Sequence, residues 1–243
     1  MRSAALRGMR LLPLAAICLA LLKAPAAFSQ QTAWSEPALQ QQPPPPEHKR
    51  IFGILPNYRT YPTLKDYKPI SSGQKFKIFA EDTFDRGSFI LGGLFAGKGY
   101  IANDTPTFGR GVGGFSKYFA ASYGDVTIGN FMTEALYPVV IHQDPRYFRR
   151  GTESGLSRAR YAMGQIFWTR SDGNHPQFNY SEVLGNATAA AIANAYYPDN
   201  RTAGAAASKL GIQLGIDMAS NLLKEFWPDL DRKFLSKHRD PKP

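Results

Sequence analysis

From residue 71 onward, apolar residues recur at helical spacing through most of the chain. Ser71 and Gln74 have the spacing of a capping box, and Phe76, Phe79, Ala80 and Phe84 behind them predict a first helix over 72–84. Asp85, Arg86 and Gly87 break this pattern, and a more apolar helix is predicted over 88–102. Thr105 before Pro106 has the composition of an N-cap with a first-turn proline. It opens a glycine-rich helical pattern that runs to about Val140, with an interruption near Pro138. The polar and basic stretch 144–155 predicts a connection, and Tyr161, Met163, Ile166 and Phe167 predict a helix over 157–169. After a loop at 171–176, Ser181 caps a helix that reaches Tyr196 and is stopped by Pro198. Thr202 then caps the longest helix, which runs to about Trp227 and ends at Pro228.

No segment alternates with period two for long enough to predict a sheet, and the repeated segments of about 10 alternating residues that a porin-like barrel needs are missing. The expected fold class is all-α. It is a single compact bundle of about six helices over 71–235, preceded by an extended, proline-rich arm over 51–70.

Small residues shape that bundle. Ala203, Ala207, Gly211, Gly215 and Ala219 stand four apart and line one helical face with almost no side chain, predicting a helix-packing surface. Gly185, Ala189 and Ala193 repeat the pattern, and Gly93 with Gly97 gives a shorter version. Such ladders are common where helices meet in lipid. Lys98, Asp125, Glu134, Lys209 and Asp217 interrupt the same segments, and a charge at a bilayer centre costs roughly 2.5 to 3.5 kcal/mol on insertion scales. The charges favour a bundle in water with peripheral membrane contact.

The start of the chain bears on location. Arg2, Arg7 and Arg10 precede an apolar run from Leu11 to Leu22 and a stretch of small residues, the layout of a secretory signal peptide over 1–29. The run is too short to cross a bilayer, so cleavage is expected, after Ser29 or Ala26. Export to the periplasm or the outer-membrane periphery follows. Cys18, the only cysteine, falls within that leader, so no disulfide is expected in the exported chain. The leader also holds four of the basic residues behind the net charge of +10, leaving about +6 on 30–243. That surplus suits anionic lipid, an envelope polymer or another envelope protein; nucleic acid is not an expected partner of an exported chain. A homo-oligomer is compatible with the ladder. Residues 30–50, with Pro43 to Pro46, read as a Pro/Gln-rich disordered linker, and 236–243 as a basic tail.

The densest group of chemically capable side chains is His142, Asp144, Arg146, Arg149 and Arg150. Histidine exchanges protons near neutral pH, a carboxylate can orient it, and arginines bind anions in a bidentate fork. His142, Asp144 and Arg146 are therefore the catalytic candidates, for a hydrolase or anion-binding enzyme, and Arg149 and Arg150 the anion-binding ones. An interhelical turn with Asp144 capping backbone amides is the structural alternative. No third ligand at metal spacing accompanies His142 and Asp144, so no metal and no cofactor is expected. Gly109 to Gly114 follows no predicted strand and lacks a Gly-Lys-Ser/Thr ending, which argues against a nucleotide loop. Ser157-Arg158 and Ser181 to Gly185 resemble fragments of the acid-phosphatase lipid phosphatase signature. Its Pro-Ser-Gly-His element is missing, so its activity is not carried over.

The phrases His142-Gln-Asp-Pro-Arg-Tyr-Phe-Arg149, Phe178-Asn-Tyr-Ser-Glu-Val-Leu-Gly-Asn186 and Asn194-Ala-Tyr-Tyr-Pro198 resemble those of uncharacterised secreted proteins of environmental bacteria, over roughly 51–231. The resemblance implies export and common ancestry, and carries no activity. The functional expectation is a non-enzymatic envelope protein contacting lipid or another envelope component.

Overall fold

The computed structural model describes residues 49–235 apart from Asp66. The expectations for the leader at 1–29, most of the 30–50 linker and the tail at 236–243 lie outside the described residues. Six helices dominate: α1 (Ser72–Thr83), α2 (Arg86–Ala102), α3 (Gly111–Asn130), α4 (Gly155–Gly164), α5 (Tyr180–Tyr196) and α6 (Ala203–Leu230). The chain is thus mostly α-helical and compact, as the periodicity predicts.

Local chemistry sets most helix starts. Ser71 and Gln74 form the expected capping box, Asp85 accepts from Gly87 N, and Thr202 accepts from Ala205 N. Each such cap contributes about 1 kcal/mol. Two expected caps differ. Thr105 and Pro106 open only a single 3-10 turn, Pro106–Phe108, before α3 begins at Gly111. In α5 the cap is Asn179, whose side chain accepts from Glu182 N, so Ser181 falls in the first turn and is buried.

The interruption expected near Pro138 is a π turn, Phe131–Leu136, followed by one more α turn, Tyr137–Val140. Pro138 has no N–H for the carbonyl four residues back, and widening the preceding turn relieves that conflict. The wider turn also buries three consecutive residues, Thr133, Glu134 and Ala135. At the other end of the chain, Pro228 does not end α6, which continues to Leu230 and then into a π turn, Asp231–Leu235.

Short strands fill what the sequence predicts as an irregular arm, a connection and the end of a helix. β1 (Arg50–Ile51) and β2 (Leu55–Pro56) pair antiparallel, and β3 (Thr60–Tyr61) pairs parallel with β5 (Tyr147–Phe148) in the register Thr60 to Tyr147. β4 (Gln143–Asp144), β6 (Trp168–Ser171) and β7 (Pro176–Phe178) form a small antiparallel sheet in the order β4-β6-β7. The helix expected over 157–169 therefore stops at Gly164 and gives way to β6. Strands of two to four residues are too short for an alternation to register.

The helices pack through their smallest residues. In α2 the buried positions are Gly87, Ser88, Gly92, Ala96 and Gly99, one register away from the expected Gly93 and Gly97. A Cβ on Gly92 would lie 3.2 Å from Tyr123 and one on Gly99 3.2 Å from Tyr118, so α3 lies against bare backbone. Tyr118 Oη, buried in that seam, donates to Thr105 O at 2.8 Å and accepts from Thr105 N at 2.9 Å. Gly185 and Ala193 of α5 are likewise buried, with Gly185 against the π turn. A Cβ there would stand 2.8 Å from Thr133 Cγ2 and 3.2 Å from the Thr133 nitrogen. Gly185→Ala is expected to cost about 1–3 kcal/mol by overpacking. Thermal denaturation reads this directly, and an unchanged midpoint would show that the two elements separate freely.

The Ala203, Ala207, Gly211, Gly215 and Ala219 face is different. All five residues are exposed, and a Cβ on Gly211 or Gly215 would meet nothing within 4 Å. The predicted packing of a helix against this ladder is not made by the chain's own described elements. α6 packs instead through its opposite face, where Asn221, Lys224, Glu225 and Trp227 are buried.

Candidate functional site

The His142 to Arg150 segment separates into three environments. Asp144 and Arg146 form an ion pair sealed from solvent, with side-chain exposures of 0% and 1%. Arg146 Nη2 donates to Asp144 Oδ2 at 2.6 Å and to Lys68 O at 2.6 Å, while its Nε and backbone N reach Asp144 Oδ1 at 2.9 Å. Tyr67 Oη adds a bond to Asp144 Oδ2 at 2.8 Å. The guanidinium carbon lies 4.9 to 5.2 Å from the ring centres of Tyr61, Tyr67 and Phe148, within cation–π range. Burial and the adjacent Asp144 carboxylate raise the Tyr67 phenol well above its ordinary value. Both oxygens of Asp144 are occupied, so the pair braces the arm against β4 and β5 and offers no free lone pair aimed at a substrate.

His142 faces away from that pair. It caps the α3 extension with a left-handed φ of 54°, and its side chain is 84% exposed. Its Nδ1 lies 3.8 Å from Asp172, which is itself bound through both oxygens to buried Lys75 at 2.8 Å. Arg149 Nε donates to Glu225 O at 3.3 Å. Arg150 pairs with Glu153 at 2.9 Å and stacks over Tyr161 at 4.4 Å. The second acid near His142 is thus Asp172, while Asp85 pairs with Arg50 and Asp82 lies in the bundle interior.

Glu225, which the sequence does not single out, organises the third environment. It is fully buried and accepts from Arg158 Nε at 2.8 Å, Tyr147 Oη at 2.8 Å, Gly151 N at 3.0 Å and Arg150 N at 3.2 Å. Arg158 also reaches Asp229 at 2.7 Å. This knot ties α4 and the β5 loop to α6.

The most unusual constellation lies in the middle of the bundle. Asp82 from α1, Glu134 from the π turn, Glu182 from α5 and Lys224 from α6 are buried together, with Arg59 reaching in from the arm and Asp217 half-buried on α6. Arg59 Nη1 lies 3.3 Å from Glu134 Oε1. Asn186 Nδ2 bridges Glu182 Oε1 at 3.2 Å and Asp217 Oδ2 at 3.1 Å. Asp82 pairs side chain to side chain with Glu134, and Glu182 with Asp217.

Burial dominates the ionisation of every core member. It pushes Asp82 up and Glu134 well up, the latter raised further by the neighbouring Asp82 charge. Glu182 is raised to about 8 by burial and by Asp217, and Lys224 is lowered to about 8 by burial and by Arg59. Four carboxyls against two cations would leave the interior doubly negative if all were ionised. One proton on each carboxyl pair makes it neutral.

A narrow cavity of about 30 Å³ lies between this cluster, at Arg59, Thr133, Ser181, Glu182 and Asn221, and the Asp144–Arg146 pair. That is room for one or two waters, each needing roughly 10–15 Å³ by such a measure. No group of three or more His, Cys, Asp or Glu placed to hold a metal ion occurs among the described residues.

Large apolar residues stand on the outside of the bundle among exposed charges such as Lys77, Lys98 and Lys117. Phe89, Ile90, Leu94, Phe95 and Ile101 of α2, Val112 and Phe115 of α3, Leu184 and Ile192 of α5, and Ile212 and Ile216 of α6 are all exposed. A sequence signal for the inner cluster does exist, because Asp217, Asn221 and Lys224 share one stripe of α6 opposite the glycine ladder. No family model, curated protein or solved structure matches the chain.

Proposed function

We propose that this chain is a non-enzymatic protein of the cell envelope that seats its apolar outer surface in lipid. The carrying observation is the inversion of its helices. Asp, Glu, Lys and Arg are almost never fully buried in a water-borne fold unless paired, and large apolar residues normally take their place. Here Asp82, Glu134, Glu182 and Lys224 are inside together, with more acids than cations to pair them, and Leu94 and Ile212 are outside, each more than 60% exposed.

The neighbouring positions strengthen the reading. Contiguous exposed apolar surface marks contact with a partner or membrane, and the bare α6 ladder adds a smooth face to it. No described helix is long and apolar enough to cross a membrane, so the seating proposed is in the interfacial layer, apolar faces down. The leader-like start at 1–29 supports export, and the basic surplus suits anionic headgroups.

Flotation with anionic vesicles tests this. The chain is expected to float with the vesicles and to stay bound in high salt, since apolar burial is not screened. Leu94→Glu and Ile212→Glu should each weaken partition about tenfold or more, given roughly 1.5–3 kcal/mol for burying such a side chain, with the melting midpoint little changed. Complete recovery of the unmodified chain in the soluble fraction, whatever the vesicle charge, would sink the proposal.

A further inference from the structure

We propose that the Asp82–Glu134 and Glu182–Asp217 carboxyl pairs form an internal proton-binding site, each pair holding one exchangeable proton, with Glu182 exchanging through the small cavity beneath Ser181. The site is independent of lipid seating, because it rests on the interior alone.

Three observations converge on it. First, as ionised groups, Asp82 and Glu134 contact each other with acceptors only, and Asp82 Oδ1 and Glu134 Oε2 are buried without a hydrogen-bond partner. A proton between the two carboxyls satisfies both oxygens at once, whereas two bare carboxylates in contact would repel at low dielectric. Second, Ser181 Oγ, on the cavity wall beside Glu182, is also buried and unpartnered. It is a hydroxyl placed to bind a water that carries protons to and from Glu182. Third, charge balance requires two protons. The groups facing the pairs from every packed element are Arg59 of the arm, Asp82 of α1, Glu134 of the π turn, Glu182 and Asn186 of α5, and Asp217, Asn221 and Lys224 of α6. Their cations are Arg59 and Lys224, and across the cavity Asp144 and Arg146 add an ion pair that is neutral in sum.

The proton balance is simple. Below about pH 8 Glu182 keeps its proton. As pH rises past about 8, Glu182 releases its proton to cavity water, and its carboxylate is left buried against Asp217. The folded pKa of Glu182 is raised above its ordinary 4.5, so between about 4.5 and about 8 the folded chain holds a proton that the unfolded chain has lost. Stability contributed by that proton is fully present below 4.5 and is lost as pH rises through 8. Lys224 is lowered from 10.5 to about 8, so the unfolded chain binds the extra proton in that upper window, and stability rises again with pH there.

Infrared absorption of the full-length chain at about pH 6, where exposed carboxyls are ionised, tests the site directly. A neutral carboxylic acid C=O band that shifts in heavy water is expected in the unmodified protein. Glu182→Gln should remove the part that titrates near pH 8, and Glu134→Gln the remaining part. The unmodified chain should also lose stability with rising pH across the lower window, by about tenfold in the folding equilibrium per pH unit for each proton held. Glu182→Gln should flatten that slope, and Asp217→Asn serves if the first variant does not fold. Absence of any neutral-acid band in the unmodified chain at about pH 6 overturns the proposal, as does a band unaltered by substitution at both pairs.

Discussion

Arg146→Ala is expected to remove roughly 3 to 5 kcal/mol of stability, because it strands the Asp144 carboxylate in a site with no solvent. For a domain of this size that is a fall of about 6 to 20 °C in the melting midpoint. Arg146→Lys should recover only part of it. The guanidinium reaches Asp144, Lys68 O and three aromatic rings at once, and a lysine cannot reproduce the planar fork. His142→Ala provides the contrast. Its side chain is exposed and its loss should stay within about 0.5 kcal/mol. Thermal melts of the three variants decide between a structural brace and a shared reactive site. Equal, small shifts for Arg146→Ala and His142→Ala would show that the sealed pair holds nothing together.

A loss of similar size is expected for Glu225→Ala. The carboxylate is the hub for Arg158, Tyr147 and two backbone N–H groups, and its removal leaves a buried guanidinium with only the Glu225 carbonyl and Asp229. Roughly 3 to 5 kcal/mol should go, and the double variant with Arg158→Ala should be less damaged than the sum of the singles, by roughly 0.5 to 3 kcal/mol. Denaturant unfolding of the four proteins closes the cycle. Strict additivity would mean that the two groups act independently, contrary to a 2.8 Å contact. Both Arg146 and Glu225 secure the segment between β4 and α4 to its surroundings, so the density of charge that draws attention to 142–150 in the sequence is largely the density of a structural joint.

The proton cluster was less legible, and for a different reason. Asp82, Glu134, Glu182 and Asp217 stand on four separate elements, and nothing in their spacing says that they meet. Glu134 and Asp217, as interruptions in apolar segments, argue for a surface in contact with water. In the fold Asp82, Glu134 and Glu182 lie inside and Asp217 is half-buried, whereas of the other interruptions Lys98 is exposed and Asp125 and Lys209 are half-buried. The helix faces were recognised, but their direction was not.

By itself the sequence determined that helices begin behind Ser71 and Thr202 and which positions share a face. Ser71 with Gln74, Asp85 and Thr202 act through hydrogen bonds within three residues, and a side-chain period follows from backbone geometry alone. The tertiary structure alone decided which face turns inward, where Pro138 widens a turn, and which small-residue ladder is covered. A helix carries two faces and no record of its solvent. Backbones approach closely at Gly92, Gly99 and Gly185, and the same packing encloses Asp82, Glu134, Glu182 and Lys224 together, with Arg59 and Asp217 half-buried at their margin.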